Sequence, residues 1–380
     1  MITQRKFLIG LFVIIVVFSF SYGVAVGSFK FQPYGIFNSV YDQFVTNNHE
    51  EQNNVVSLYS KVNVTSLIHI SSQTDVLDKR VQLIQYIWKQ NNFPYDKMPS
   101  NIENDIKDDR YSDLQNLSQI NKITTSMEYG VNSYSYLFLA DRSNTKLVVY
   151  HQGHDGDFIL GKNTIQSFLE KGYSVLAFSM PLTGMNNQPI VDLSFGKLKL
   201  TTHDDLRFIE SDTLSPIKFF VEPIAVSLNY VDKEFHFDSY YMIGISGGGW
   251  TTVLYSALDP RIEKSYPVAG SVPLYLRFNN PKNMGDYEQM LPELYKIADY
   301  LDLYIMASYG ENREQLQIFN KYDPCCFSGT GYTTYENEIK KSISDLGKGK
   351  FEVFLDVNNE KHSISEESFT IILKNIESKN

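Results

Sequence analysis

The hydrophobic pattern changes character along the chain, and its clearest stretch begins near residue 123. "KLVVYHQG" (146–153) and "YSVLAFSM" (173–180) are continuous apolar runs of strand length. "TIQSFLEKG" between them repeats its apolar positions at helical spacing and closes on Gly172. Upstream, "TTSMEYGV" and "SYSYLFLA" predict two strands of a hairpin that meet at Asn132. Downstream come a long helix through "IKFFVEPIAVSLNYV", the strand "YYMIGIS" and the helix "GGWTTVLYSALDP". "YLDLYIMAS" and "KFEVFLDV" read as further strands, with a helix at "YENEIKKSISDL" between them and a last helix from Glu366 to Ser378. Buried strands alternating with helices predict an α/β domain whose mostly parallel central sheet is covered on both faces. Ligands of such sheets bind beyond the carboxyl ends of the strands.

The remaining pattern divides the chain. After Arg5 and Lys6, Phe7 to Phe29 is an uncharged apolar run long enough to cross a bilayer as a helix, so 1–29 is expected to be a transmembrane anchor. A cleaved signal peptide is the alternative, since "GVAVG" offers small residues to a peptidase. The positive flank places everything after Lys30 outside the cytoplasm, anchored or secreted. Residues 30–122 read as a spacer followed by an extension that packs on the main domain, with one amphipathic helix from Val76 to Asn92 ended by Pro94 and Pro99. The main domain is placed at 123–380, with a cap-like insertion at about 181–238.

Composition narrows the function. With 380 residues the chain can bury a large core, and a formal charge of −10 without a basic run argues against nucleic acid and does not favour an acidic substrate. The only cysteines, Cys325 and Cys326, are adjacent, so they build neither a disulfide framework nor a four-ligand zinc site. They are read first as small buried side chains, with a neighbour-to-neighbour disulfide as the second reading.

The chemistry gathers at "YYMIGISGGGWTT" (240–252). Gly244-Ile245-Ser246-Gly247-Gly248 is a G-x-S-x-G match at a strand-to-helix junction, the setting of a nucleophile elbow. A serine on so sharp a turn requires small neighbours two residues before and after it, which accounts for Gly244 and Gly248; Gly249 would let helix and strand approach closely. The histidine base of such a site follows the serine in the chain, and of seven histidines only His362 does so, in a loop after "KFEVFLDV". The acid is expected after "YLDLYIMAS". Asp323, beside Pro324, Cys325 and Cys326, is favoured over Glu311, and Asp356 is a weaker third. For the oxyanion, the N–H of Gly247 pairs with one from the loop after "KLVVY", where Gly153 allows close approach and the N–H of His154 is the second donor. His151, His154, Asp155 and Asp157 also resemble a mixed ligand set, but their spacing fits no metal motif, and no metal is assigned.

Strand-"HQGH"-helix, "GISGGGW" and the terminal "KHSIS" together resemble the α/β-hydrolase superfamily over about residues 123–380. "YHQGHDGDF", "MPLTGMN" and "NKYDPCCF" are further similar to a group of bacterial and archaeal α/β-hydrolase-like proteins. The resemblance implies a serine nucleophile, a histidine base and an acidic orienter, carried onto Ser246, His362 and Asp323, although Asp323 stands later after its expected strand than the acid usually does. It implies ester hydrolysis through an acyl-enzyme, without a cofactor. The expected export suggests an external substrate: a small-molecule, polysaccharide or lipid ester. An amidase or peptidase with the same triad, and a membrane-anchored binding protein without catalysis, are the competing expectations.

Overall fold

The structure is a computed structural model and describes residues 16–23, 61–277 and 283–378. The chain divides into two compact units, Met1–Asn54 and Val55–Asn380. In the first, residues 16–23 form a helix. Most of the expected span Phe7–Phe29 lies outside the described residues, and among these no helix is long and apolar enough to cross a membrane. All that follows concerns the second unit.

Its sheet is built from β1 (Asn101–Glu103), β2 (Leu117–Ser126), β3 (Asn132–Ala140), β4 (Lys146–His151), β5 (Ser174–Phe178), β8 (Ser239–Ile245), β9 (Ile262–Val268), β10 (Glu314–Asn320) and β11 (Lys350–Asp356), while β6 (Ile190–Leu193) and β7 (Gly196–Lys199) form a separate hairpin. Spatial order is β1-β2-β3-β5-β4-β8-β9-β10-β11. From β5 to β11 every pairing is parallel, and β1, β2 and β3 add an antiparallel edge. The longer helices are α1 (Gln73–Trp88), α2 (Lys162–Glu170), α3 (Lys218–Glu234), α4 (Gly247–Leu258), α5 (Tyr300–Ser308), α6 (Glu336–Leu346) and α7 (Glu366–Glu377).

The period-2 alternation of a strand sends neighbouring residues to opposite faces. Leu147, Val149, Leu176 and Met242 accordingly join the core under α1, α3, α4, α5 and α6. Val148, Tyr150, Val175, Ala177 and Ile243 join the opposite core under α2 and α7. Apolar residues on both faces explain why these strands read as unbroken hydrophobic runs.

Several expectations shift. The hairpin forms, but its first strand begins at Leu117, and "MEYGV" is the turn, with Tyr129 at φ 57° and Gly130 at φ 70°. The boundary placed at 122/123 therefore falls inside β2, and the extension contributes β1 and most of β2 to the sheet. "YLDLYIMAS" is a helix, α5, not a strand. Asp299 caps it by accepting the N–H groups of Leu301 and Asp302, and every residue from Tyr300 to Ser308 is buried. A helix buried on all sides loses its polar stripe, so periodicity cannot separate it from a buried strand. The strand expected there is instead β10, "EQLQIFN". In the region 181–238, α3 is a crossover helix packed on β2, β3 and α4, and the insertion proper is the β6–β7 hairpin with the 3-10 segment His203–Ile209.

The extension is tied down by polar contacts at its apolar seam. Ser72 and Asp75 form a capping box at the start of α1, and Arg80 Nε donates to Ala257 O at the end of α4 (2.9 Å). Trp88 Nε1 donates to the fully buried Glu222 of α3 (3.0 Å), whose carboxylate also meets Lys97 and Lys218.

Candidate active site

β8 runs into α4 through Ser246, which adopts φ 57° and ψ −125°. A serine with so positive a φ is strained, and the surrounding packing holds it there. Its N–H donates to Val268 O (2.9 Å), and its carbonyl accepts the Trp250 N–H (3.1 Å). The glycines supply clearance: a Cβ on Gly244 would overlap the Gly248 backbone, and one on Gly248 would overlap the backbone of His151 and Gln152. Gly249 lies against Gly270, the close approach expected of it.

Past the ends of β10 and β11 stand Asp323 and His362. His362 Nδ1 lies 2.8 Å from Asp323 Oδ2. The Asp323 side chain is fully buried, accepting from the Cys325 N–H (2.9 Å) and from Asn320 Nδ2 (3.2 Å). Asn320 Nδ2 also reaches Lys361 O (3.2 Å) and Ser363 O (3.0 Å), so it fixes the two residues flanking His362. With β10 ending at Asn320, Asp323 stands just past its strand, and its apparent lateness came from assigning the strand to α5. Glu311 precedes β10, is exposed and pairs with Lys348 (2.9 Å), away from His362. Asp356 is buried and accepts from the N–H groups of Asn358 and Asn359 (both 2.9 Å) and from the Ser365 and Ser368 hydroxyls, shaping the loop that carries His362.

Among the described residues Ser246 Oγ makes no hydrogen bond, and His362 Nε2 faces Cys326 Sγ at 4.0 Å. The serine–histidine link is thus open in this conformation, whereas the histidine–aspartate link is made. Catalytic hydrogen bonds are often loose before substrate binds. Cys325 and Cys326 form a disulfide, the second of the two readings of that pair.

The loop after β4 presses on the nucleophile. A Cβ on Gly153 would lie 2.7 Å from Ser246 Cβ and 2.9 Å from Ile245 O, so the 153–154 backbone runs beside the serine, where an oxyanion donor is required. His151 is buried under Phe178, with Nδ1 2.9 Å from Gln152 O, and burial pushes its imidazole down to about 4. It does not join His154, Asp155 and Asp157 in a ligand set. His154 instead turns to side chains that sequence reasoning did not connect with it. Its Nε2 lies 2.8 Å from Glu288 Oε1, and His203 Nδ1 lies 3.2 Å from the same oxygen. The signal available in the sequence was a histidine in the insertion ("HDDLRFIE") and two carboxylates in "GDYEQM", with nothing to indicate that three distant segments converge.

No protein-family model and no curated protein matches the sequence. Solved structures do. The chain is similar to an acetyl xylan esterase from Paenibacillus sp. R4, at 17% identity and TM-score 0.53, over 85% of this chain and 99% of that one. Acetyl xylan esterase 1 from Thermoanaerobacterium sp. JW/SL YS485 matches at 14% and 0.51, over 79% and 92%. A glucuronoyl esterase from Solibacter usitatus matches at 11% and 0.52, over 78% and 90%. Likeness at this identity concerns architecture, and the fold is that of the α/β-hydrolases.

Proposed function

We propose that the chain is a serine esterase in which Ser246 is the nucleophile, His362 the base and Asp323 the residue that orients it. The observation that carries this reading is the strained Ser246 at the β8–α4 turn, on the same sheet edge as the closed His362–Asp323 pair. His362 Nε2 takes the Ser246 proton as Oγ attacks an ester carbonyl. The N–H groups of Gly247 and His154 receive the oxyanion, and His362 returns the proton to the departing alcohol. Water then attacks the acyl-enzyme by the same route.

Fold alone supports no substrate. The names of the three similar structures, acetyl xylan and glucuronoyl esterases, support an ester of a carbohydrate as the substrate class. The run Phe7–Phe29 supports an extracytoplasmic site, tethered or released, and the Cys325–Cys326 disulfide is compatible with an oxidising compartment. Hydrolysis of p-nitrophenyl acetate and of acetylated xylo-oligosaccharides by the full chain, abolished in Ser246→Ala, tests the reading; equal turnover by both proteins contradicts it.

One observation favours a second reading. Among the described residues Ser246 Oγ makes no hydrogen bond, as expected of a binding protein that retains the fold without catalysis. A folded protein that binds acetylated oligosaccharide and leaves it intact would establish that alternative.

A further inference from the structure

Next to the nucleophile lies a group of side chains that ester hydrolysis by Ser246 does not use. His154 comes from the loop after β4, His203 opens the 3-10 segment of the insertion, and Asp286 and Glu288 flank the start of the one-turn helix Tyr287–Met290 after β9. His203 and Glu288 are buried, His154 is largely so, and Asp286 is half exposed at the mouth.

Without an ion, the proton inventory of this group closes only with a buried imidazolium at His203 that donates from both ring nitrogens. His203 Nε2 lies 3.0 Å from Pro181 O, and a carbonyl only accepts, so Nε2 carries the hydrogen. In the neutral ring Nδ1 is then a bare lone pair, yet it faces Glu288 Oε1 at 3.2 Å and Asp286 Oδ2 at 3.7 Å, both acceptors. His154 Nε2 faces the same two oxygens at 2.8 and 3.3 Å. Glu288 Oε2, fully buried, has no partner. A cation at the centre accepts the four converging lone pairs together and gives the Glu288 carboxylate a charge to neutralise it.

Four of the six distances among the donor atoms can be set against such an ion. Ligands about 2.0–2.1 Å from a tetrahedral zinc stand roughly 3.3–3.4 Å from one another. The four cross-distances here, 2.8, 3.2, 3.3 and 3.7 Å, bracket that edge, and all the donor atoms lie within 4.8 Å of one another. Two imidazoles with two carboxylates suit zinc and its neighbours rather than calcium or magnesium, which prefer oxygen alone. The His203–Pro181 hydrogen bond is the outer contact that fixes the tautomer and orientation of a metal-bound imidazole.

We propose that His154 Nε2, His203 Nδ1, Asp286 Oδ2 and Glu288 Oε1 hold one divalent transition cation of the zinc class. Four protein ligands close a tetrahedral shell, so the ion is structural. It joins three separate segments and acts on the nucleophile through position. The His154 ring lies against Gly247, where an added Cβ would overlap Cε1 and Nδ1, and Gly153 touches Ser246. Binding therefore pins the loop expected to carry the second oxyanion donor.

The full chain, purified without reductant and stripped with a chelator, is titrated with zinc chloride and in parallel with cobalt chloride. The expected results are about one zinc per chain, the visible bands of four-coordinate cobalt, and a higher Tm with zinc. Magnesium and calcium should give none of these. Glu288→Gln and His203→Gln should weaken zinc binding by about tenfold or more. Because these buried positions can compromise folding, Asp286→Asn at the open edge is the second variant, expected to keep the parent's zinc-free Tm and lose about tenfold in affinity. Ser246→Ala should bind zinc like the parent while failing to cleave esters, so the metal site and the esterase reading stand or fall separately. A folded parent that takes up no zinc overturns the proposal. So does uptake that is unchanged in Asp286→Asn and His203→Gln, which would place the ion away from this cluster.

Discussion

His362 Nδ1 lies 2.8 Å from Asp323 Oδ2, and this contact joins the loop after β11 to the loop after β10. The carboxylate is buried and already accepts two further hydrogen bonds, so it is held rigidly and stays dry. It can therefore fix the imidazole tautomer and stabilise the imidazolium that forms when Ser246 is deprotonated. Asp323→Asn is expected to lower kcat for ester hydrolysis by about 10^4, whereas Glu311→Gln, a change at an exposed ion pair, leaves it within about twofold. Steady-state kinetics on both variants decide between the two acids.

Gly153 offers a test of the oxyanion loop that leaves the triad chemically intact. In Gly153→Ala the new methyl meets Ser246 Cβ at 2.7 Å and Ile245 O at 2.9 Å, so the loop must retreat from the nucleophile. A misplacement of that size is expected to reduce kcat by about 10^2. KM should change far less, because the hydrogen bonds that weaken are those to the oxyanion, which forms only after substrate has bound. A variant with parental kcat would show that the loop after β4 supplies no donor.

His151 predicts a pH dependence of stability. Burial holds its folded-state value down at about 4, below the 6.5 of an exposed imidazole. The unfolded chain therefore binds a proton that the native chain refuses as pH falls below about 6.5. The sign follows: this contribution is complete above that pH and is lost as the solution is acidified toward 4, at up to about 1.4 kcal/mol per pH unit. Urea unfolding of the parent and of His151→Asn at pH 7.5 and 5.5 measures it. The parent should lose more stability between the two pH values than the variant.

Glu222 connects the extension to the main domain. It is fully buried and receives Trp88 Nε1, with Lys97 and Lys218 as its charge partners. Glu222→Ala removes the buried acceptor of Trp88 Nε1 and one of the two carboxylates at Lys218, which keeps Glu128 (2.6 Å), and should cost about 1–3 kcal/mol. Denaturant midpoints should fall accordingly, and limited proteolysis should cut first near α1.

The elbow and the last histidine were legible because the backbone imposes residue types there. Gly244 and Gly248 are demanded by the turn at Ser246, and chain order left only His362. The strands β9 and β10 were not legible because they bury polar residues. Lys264 Nζ donates to Asn375 O, Gln315 Nε2 to Ser265 Oγ, and Gln317 Oε1 accepts from Tyr335, so partners satisfy groups that in isolation read as loop. Helix α5 failed in the opposite direction, being apolar on every side. That exchange moved the strand preceding the acid, and the lateness of Asp323 was its consequence. The His154, His203 and Glu288 cluster was invisible for a third reason: its members are 134 residues apart at the extremes and meet only in the fold.

Labelling with a fluorophosphonate, which reacts with a serine only when a base activates it, tests the roles of Ser246 and His362 together. The protein lacking residues 1–29 is treated with the probe alongside His362→Ala, and the modified peptide is located by mass spectrometry. Labelling of Ser246 in the parent and its loss in the variant is the expected result. A folded parent that stays unlabelled, or equal labelling of Ser246 in the two proteins, would contradict the assignment of Ser246 and His362 as a nucleophile and its base.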